Sequence, residues 1–148
     1  MRTEFKPLLI AMGLITGLAV TTLARANDDM CSAATLHGLY VFHASGYNVS
    51  ATGTVPKAIV ESIRFMGDGT LTVPGATRSV NGTIVRSLPN GGGTYTIAPN
   101  CSGTITFAPG PSFDIVISPG GGEIFMIQTS DPTGAGPVLQ GVAERVWH

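Results

Sequence analysis

Beyond residue 26, no window of this chain keeps apolar residues at helical spacing for three turns without meeting a glycine or a proline. Each interior glycine costs a helix about 1 kcal/mol relative to alanine, and proline costs about 3. The chain carries 20 glycines and 10 prolines in 148 residues. Between them stand short runs of β-branched and aromatic residues, the pattern of strands joined by turns. The expected class is all-β. With 43% hydrophobic and 11% charged residues, the chain is too apolar for disorder.

Turn residues divide it further. Strands are expected over 36–44, 58–66, 70–73, 77–80, 83–87, 94–98, 102–108, 113–118, 123–129 and 138–147. Gly67-Asp68-Gly69 and Asn81-Gly82 suit hairpin turns with positive φ. Pro74-Gly75, Pro89-Asn90-Gly91-Gly92, Pro109-Gly110-Pro111 and residues 119–122 and 130–137 read as loops. Strand 113–117 is apolar on both faces at most positions, and one open sheet would leave such a face wet. Closure is therefore expected, and short consecutive connections favour an antiparallel up-and-down β-barrel of about eight or nine strands. A two-sheet β-sandwich is the alternative.

Residues 1–26 read as a secretory signal peptide ahead of one domain over 27–148. Arg2 and Lys6 give a positive start, an apolar run follows, and Ala24-Arg25-Ala26 is a small-x-small cleavage pattern. A membrane-spanning helix needs ~20 apolar residues; here Thr16, Thr21 and Thr22 dilute a shorter run. Asp28-Asp29-Met30 before Cys31 disfavours a lipid anchor. The expected location is secreted or periplasmic. After cleavage, five cations (Lys57, Arg64, Arg78, Arg86, Arg145) meet eight anions, a net charge of −3. That balance disfavours nucleic acid and anionic membrane as partners.

In an exported chain two cysteines are most simply one disulfide, here Cys31–Cys101. A reactive thiol pair is the alternative, but there is no Cys-x-x-Cys. No metal is expected: His37 and His43 lie ~20 Å apart along one strand, and His148 ends the chain. No Gly-x-Ser-x-Gly elbow, dinucleotide loop or Walker loop occurs, so no catalytic residue and no cofactor is assigned. Asn48, Asn81 and Asn100 match the glycosylation pattern, which matters in a eukaryotic secretory route.

Glu61 interrupts an apolar strand. Alternation places it with Ile59, Ile63 and Phe65, while Arg64 shares the other face with Val60 and Met66. Pointing inward, its carboxylate needs a partner and could serve as acid/base or ligand anchor; the alternative puts it on the wet face. Tyr40, Phe42, Phe65, Tyr95 and Phe107 are expected to line the interior with it. These six are the candidate ligand-binding residues.

Three segments, 31–42 (CSAATLHGLYVF), 93–107 (GTYTIAPNCSGTITF) and 141–145 (GVAER), carry a resemblance. The chain resembles a group of small secreted bacterial all-β proteins of unknown function, of calycin-like or allene-oxide-cyclase-like barrel type. Members carry Asn-Pro-Asp-Cys where this chain has Ala98-Pro99-Asn100-Cys101, and Phe-Asp-Gly where it has Phe65-Met66-Gly67. The resemblance implies a barrel and transfers no catalytic residue. Three functions remain open. The first is a non-enzymatic barrel that binds a small apolar or amphipathic ligand, or a surface partner. The others are a cofactor-free cyclase or isomerase working in an apolar cavity, and a structural envelope-associated domain. A cavity separates the first two from the third. The oligomeric state is not readable from the sequence.

Overall fold

The computed structural model describes residues 31–87, 91–132, 134 and 136–146; the leader read over 1–26 lies outside the described residues. Nine strands follow in order: β1 (His37–Ser50), β2 (Gly53–Met66), β3 (Thr70–Val80), β4 (Thr83–Ser87), β5 (Gly91–Ile97), β6 (Ser102–Ala108), β7 (Ser112–Ile117), β8 (Glu123–Ser130) and β9 (Gly136–Arg145). All pairings are antiparallel. The sheet runs β2-β1-β9-β8-β7-β6-β5-β3-β4, and a further β2–β3 pairing closes eight strands into a barrel, with β4 outside the ring. The sandwich alternative is thereby excluded.

The turns form as their chemistry requires. Asn81 and Gly82 adopt φ of 49° and 81°, the paired positive values of a type I′ hairpin turn. Asp68 Oδ1 accepts hydrogen bonds from Thr70 N–H (2.9 Å) and Thr70 Oγ1 (2.6 Å) in the β2–β3 turn. Those bonds hold its exposed carboxyl below the usual range.

Two expected breaks are absent. Pro74-Gly75 was expected to separate two strands, but β3 runs through it with a shift of register between Ser62 and Arg64 of β2. A bulge tolerates proline because the extra residue needs no ladder partner. It also flips the alternation, so that both Val73 and Ala76 face inward. Gly91 and Gly92 were expected in a loop, yet β5 begins at Gly91. The backbones of β5 and β6 approach closely there: a Cβ on Gly93 would stand 2.3 Å from Thr106 O. Gly93→Ala is therefore expected to cost roughly 1–3 kcal/mol, the overpacking range, read as a lower thermal midpoint.

One end of the barrel is closed. Cys31 and Cys101 form the expected disulfide, which ties the segment before β1 to the β5–β6 turn. A 3-10 turn over Ala33–Thr35 then lays Leu36 across the barrel floor with no exposure. Tyr95 Oη donates to Ala33 O (2.9 Å), lies 3.1 Å from Leu36 O, and accepts Gly67 N–H (3.1 Å). On the other side of the floor, Tyr40 Oη donates to Gly121 O (2.6 Å) and accepts from Arg145 Nε and Nη2 (2.9 and 2.7 Å). Arg145 Nη2 also donates to Thr35 O (3.0 Å), and its guanidinium lies 5.3 Å from the Tyr40 ring centre. Among the described residues, no buried side-chain nitrogen or oxygen of this floor lacks a partner, which is what burial demands.

Above the floor, aromatic rings pack edge to face in two sets. Phe65 meets Tyr40 and Tyr95, each at 5.1 Å between centroids. Nearer the other end, Phe113 meets Phe42 at 5.6 Å and Phe107 at 5.8 Å. Ile63, Leu71, Ile105, Ile115, Ile124 and Met126 pack among them in the core.

Candidate functional site

The opposite end is a cup. The end of β2 nearest the β1–β2 turn, the far half of β3, the start of β5, the β6–β7 turn and the segment after β8 surround a cavity of about 630 Å³. The gap has a topological origin. β3 pairs with β5 through Thr70–Val73 only, and along 76–80 it carries β4 instead. The wall facing the cavity therefore thins to Gly91 and Gly92.

Phe42, Phe107 and Phe113 form the apolar base of the cup, with Ile59, Val73 and Ala76 on its wall. Glu61 projects among them. Its neighbours across the sheet are Phe42 on β1 and Ala76 on β3, so the carboxyl is flanked by hydrocarbon. Its Oε1 is buried without a hydrogen-bond partner, a condition shared among the described residues only by Asn48 Oδ1. Burial alone pushes the carboxyl up to about 7, because removing water disfavours the charged form. Near neutral pH Glu61 therefore holds both protonation states and can accept or donate a proton.

The other charges at the mouth are already engaged or stand in solvent. Lys57 Nζ donates to Asp131 Oδ2 (3.1 Å) and to Gln128 Oε1 (3.3 Å). The side chains of this ion pair are 8% and 7% exposed. Gln128 Nε2 donates to Ser130 O (2.7 Å) and Asp131 Oδ2 (3.3 Å). Gln128 faces inward in alternation with Ile124 and Met126, and just beyond it the β7–β8 register shifts between Ser112 and Phe113, leaving Thr129 unpaired. Arg78, level with Ile59 across the sheet, lines the cavity but is exposed.

Of the six residues singled out in the sequence, Phe42, Glu61 and Phe107 line the cup. Tyr40, Phe65 and Tyr95 lie in the packed floor at the closed end, away from the cavity. Glu61 faces the interior with Ile63 and Phe65, rather than the wet face. Lys57, Val73, Ala76, Arg78, Phe113 and Asp131 also line the cup and were not singled out. Alternation with Ile59 and Glu61 could have exposed Lys57, and alternation with Ile115 could have exposed Phe113. Alternation with Ile124 and Met126 could likewise have exposed Gln128, whereas the inward turn of Ala76 depends on a bulge that leaves no such pattern.

Two shallower concavities, of about 890 and 860 Å³, lie on the outer face of the sheet. Val116, Phe125, Ile127 and Val138 stand there at least half exposed. His37 and His43 are also exposed, while His148 lies outside the described residues. Among the described residues, no group of three His, Cys, Asp or Glu side chains could hold a metal ion, and no helix is long and apolar enough to cross a membrane. In comparisons with known proteins, no family model, curated protein or solved structure matches this chain.

Proposed function

We propose that this chain is an exported, calycin-like binding protein whose cup takes a small amphipathic molecule, its apolar body against the phenylalanines and its polar group at Glu61. The observation that carries the reading is the joining of a half-enclosed apolar cavity with one buried, unpartnered carboxyl oxygen. Small-molecule sites combine an apolar lining with a few placed polar groups in this way. The Cys31–Cys101 bridge suits an oxidising compartment and so supports export.

A second reading is a cofactor-free cyclase or isomerase. It is favoured by the carboxyl held near 7, where an acid/base group works best at neutral pH. The binding reading is preferred because Glu61 has no ion pair with Arg78 that would steer its charge.

The test is N-phenyl-1-naphthylamine, a fluorophore that brightens in apolar sites. Saturable brightening is expected with the native protein. Ala76→Trp, which fills the cup beside Glu61, is expected to weaken binding at least about tenfold, ~1.4 kcal/mol, with the fold checked by circular dichroism. Equal binding by the filled variant would place the probe elsewhere and remove the support for a cup-shaped site.

A further inference from the structure

We propose that the cup selects a cationic amphiphile, a protonated amine on an apolar body, with the Glu61 carboxylate as its counter-ion. This rests on the binding reading above and adds the chemistry of the ligand's head.

The groups that face Glu61 from each surrounding element leave its carboxyl without a counter-ion. On its own strand Lys57 shares its face, with its ammonium taken by Asp131 and Gln128, while Arg64 stands exposed on the opposite face. From β3 come Ala76 and Arg78, and Arg78 is exposed at the rim with no ion pair to Glu61. From β1, β6 and β7 come Phe42, Phe107 and Phe113, and from β5 the uncharged Gly91 and Gly92. The segment after β8 brings Asp131, engaged with Lys57. The interior therefore holds one carboxyl whose Oε1 lacks a donor, and among the described residues no cation pairs with it.

A ligand can supply what is missing. An anionic head would be repelled by the ionised carboxyl. A hydroxyl would give a hydrogen bond and leave the charge uncompensated. A protonated amine gives both the hydrogen bond and the opposite charge, and charge-assisted bonds are the stronger kind. The three phenylalanine rings favour the same sign, because an aromatic face attracts a cation.

Proton linkage follows from this pairing. A primary alkylamine, like a lysine side chain, stays charged to about pH 10. Glu61, raised to about 7 when the cup is empty, must lose its proton to pair with that charge. Binding of the amine thus releases a proton near neutral pH, and its affinity declines as pH falls below 7.

The experiment is calorimetric titration of the full exported protein with octylamine, octanol and octanoate, three heads on one tail. At pH 8 octylamine is expected to bind at least about tenfold tighter than octanol, and octanoate weakest of all. Below pH 7 the amine's advantage should shrink by up to about tenfold per unit, the slope of one displaced proton. At pH 7, titration in buffers of different ionisation enthalpy should show proton release with octylamine and none with octanol. In Glu61→Gln both the advantage and the proton release should vanish, with the fold checked by thermal unfolding.

Equal binding of amine and alcohol by the native protein, a preference for octanoate, or an advantage surviving in Glu61→Gln would each overturn the amine assignment while leaving the cup a binding site. Failure of all three probes to bind would overturn both readings together.

Discussion

Glu61→Gln is expected to make the empty barrel more stable at pH 8, and to flatten its stability between about pH 4.5 and 7. Burial raises the folded-state carboxyl from 4.5 to about 7, so the folded protein holds this proton more tightly than the unfolded chain does. Where the native state binds more protons, stability falls as pH rises. The contribution is therefore fully present below pH 4.5, is lost progressively up to about 7, and stays lost above it. At 1.36 kcal/mol per unit the loss is about 3 kcal/mol, lessened by water reaching the open mouth of the cup. Glutamine keeps the shape and cannot ionise. Urea midpoints of the two proteins measured from pH 4 to 8 check this. Other carboxylates titrate in both proteins, so the difference between the curves isolates Glu61. Parallel curves would mean that its carboxyl is well hydrated, and the ligand argument would lose its footing. The implied trade is familiar at binding sites, where a group is kept at some cost in stability for what it does when occupied.

The second large effect is loss of the disulfide. Replacing Cys31 and Cys101 together by alanine opens a loop with a sequence separation of 70 residues, worth about 4 kcal/mol in the chain-entropy model. The segment it holds has few other anchors. Leu36 is fully buried, but the residues before it meet the barrel through Cys31 N–H to Pro99 O, through Tyr95 Oη to Ala33 O and through Arg145 Nη2 to Thr35 O. Guanidinium unfolding of the native and doubly substituted proteins should show a much lower midpoint for the variant. Its denaturant dependence should also steepen, because an unbridged unfolded chain exposes more surface. Unchanged midpoints would show that the floor of the barrel is held without the bridge, by Leu36 and the hydrogen bonds of Tyr40, Tyr95 and Arg145. The same loss is expected of the native protein under reductant, a practical reason for such a chain to work in an oxidising compartment.

Much of this protein was legible before its coordinates. Alternation along β2 put Glu61, Ile63 and Phe65 on one face, and that face is the interior. Asn81-Gly82 announced its hairpin, and the Cys31–Cys101 bridge formed as expected. The errors fell where a local rule met a non-local one. Pro74-Gly75 has the composition of a turn, but β2 continues alongside and holds it in the sheet as a bulge. Gly91 and Gly92 look like loop, but β3 and β6 approach closely enough to pair with a backbone that has no side chains.

Within the candidate site the division is sharper. Tyr40, Phe42, Phe65, Tyr95 and Phe107 are all interior, as alternation implied. Alternation has no way of telling which of them lie deep in the floor and which line the open end. Depth in a barrel depends on the stagger of each strand against its neighbours around the whole ring.

From the amino-acid sequence alone come the β class, the closure of the sheet, which side chains share a face along each unbroken strand and the pairing of the cysteines. Each follows from short-range rules: a period of two, the backbone freedom of glycine, and the number of cysteines to be paired. The tertiary structure decided that one end is plugged and the other hollow, that Lys57 is spent on Asp131, and that the Glu61 Oε1 is left without a donor. These depend on which residues far apart in the chain arrive at the same height in the barrel, and packing alone sets that.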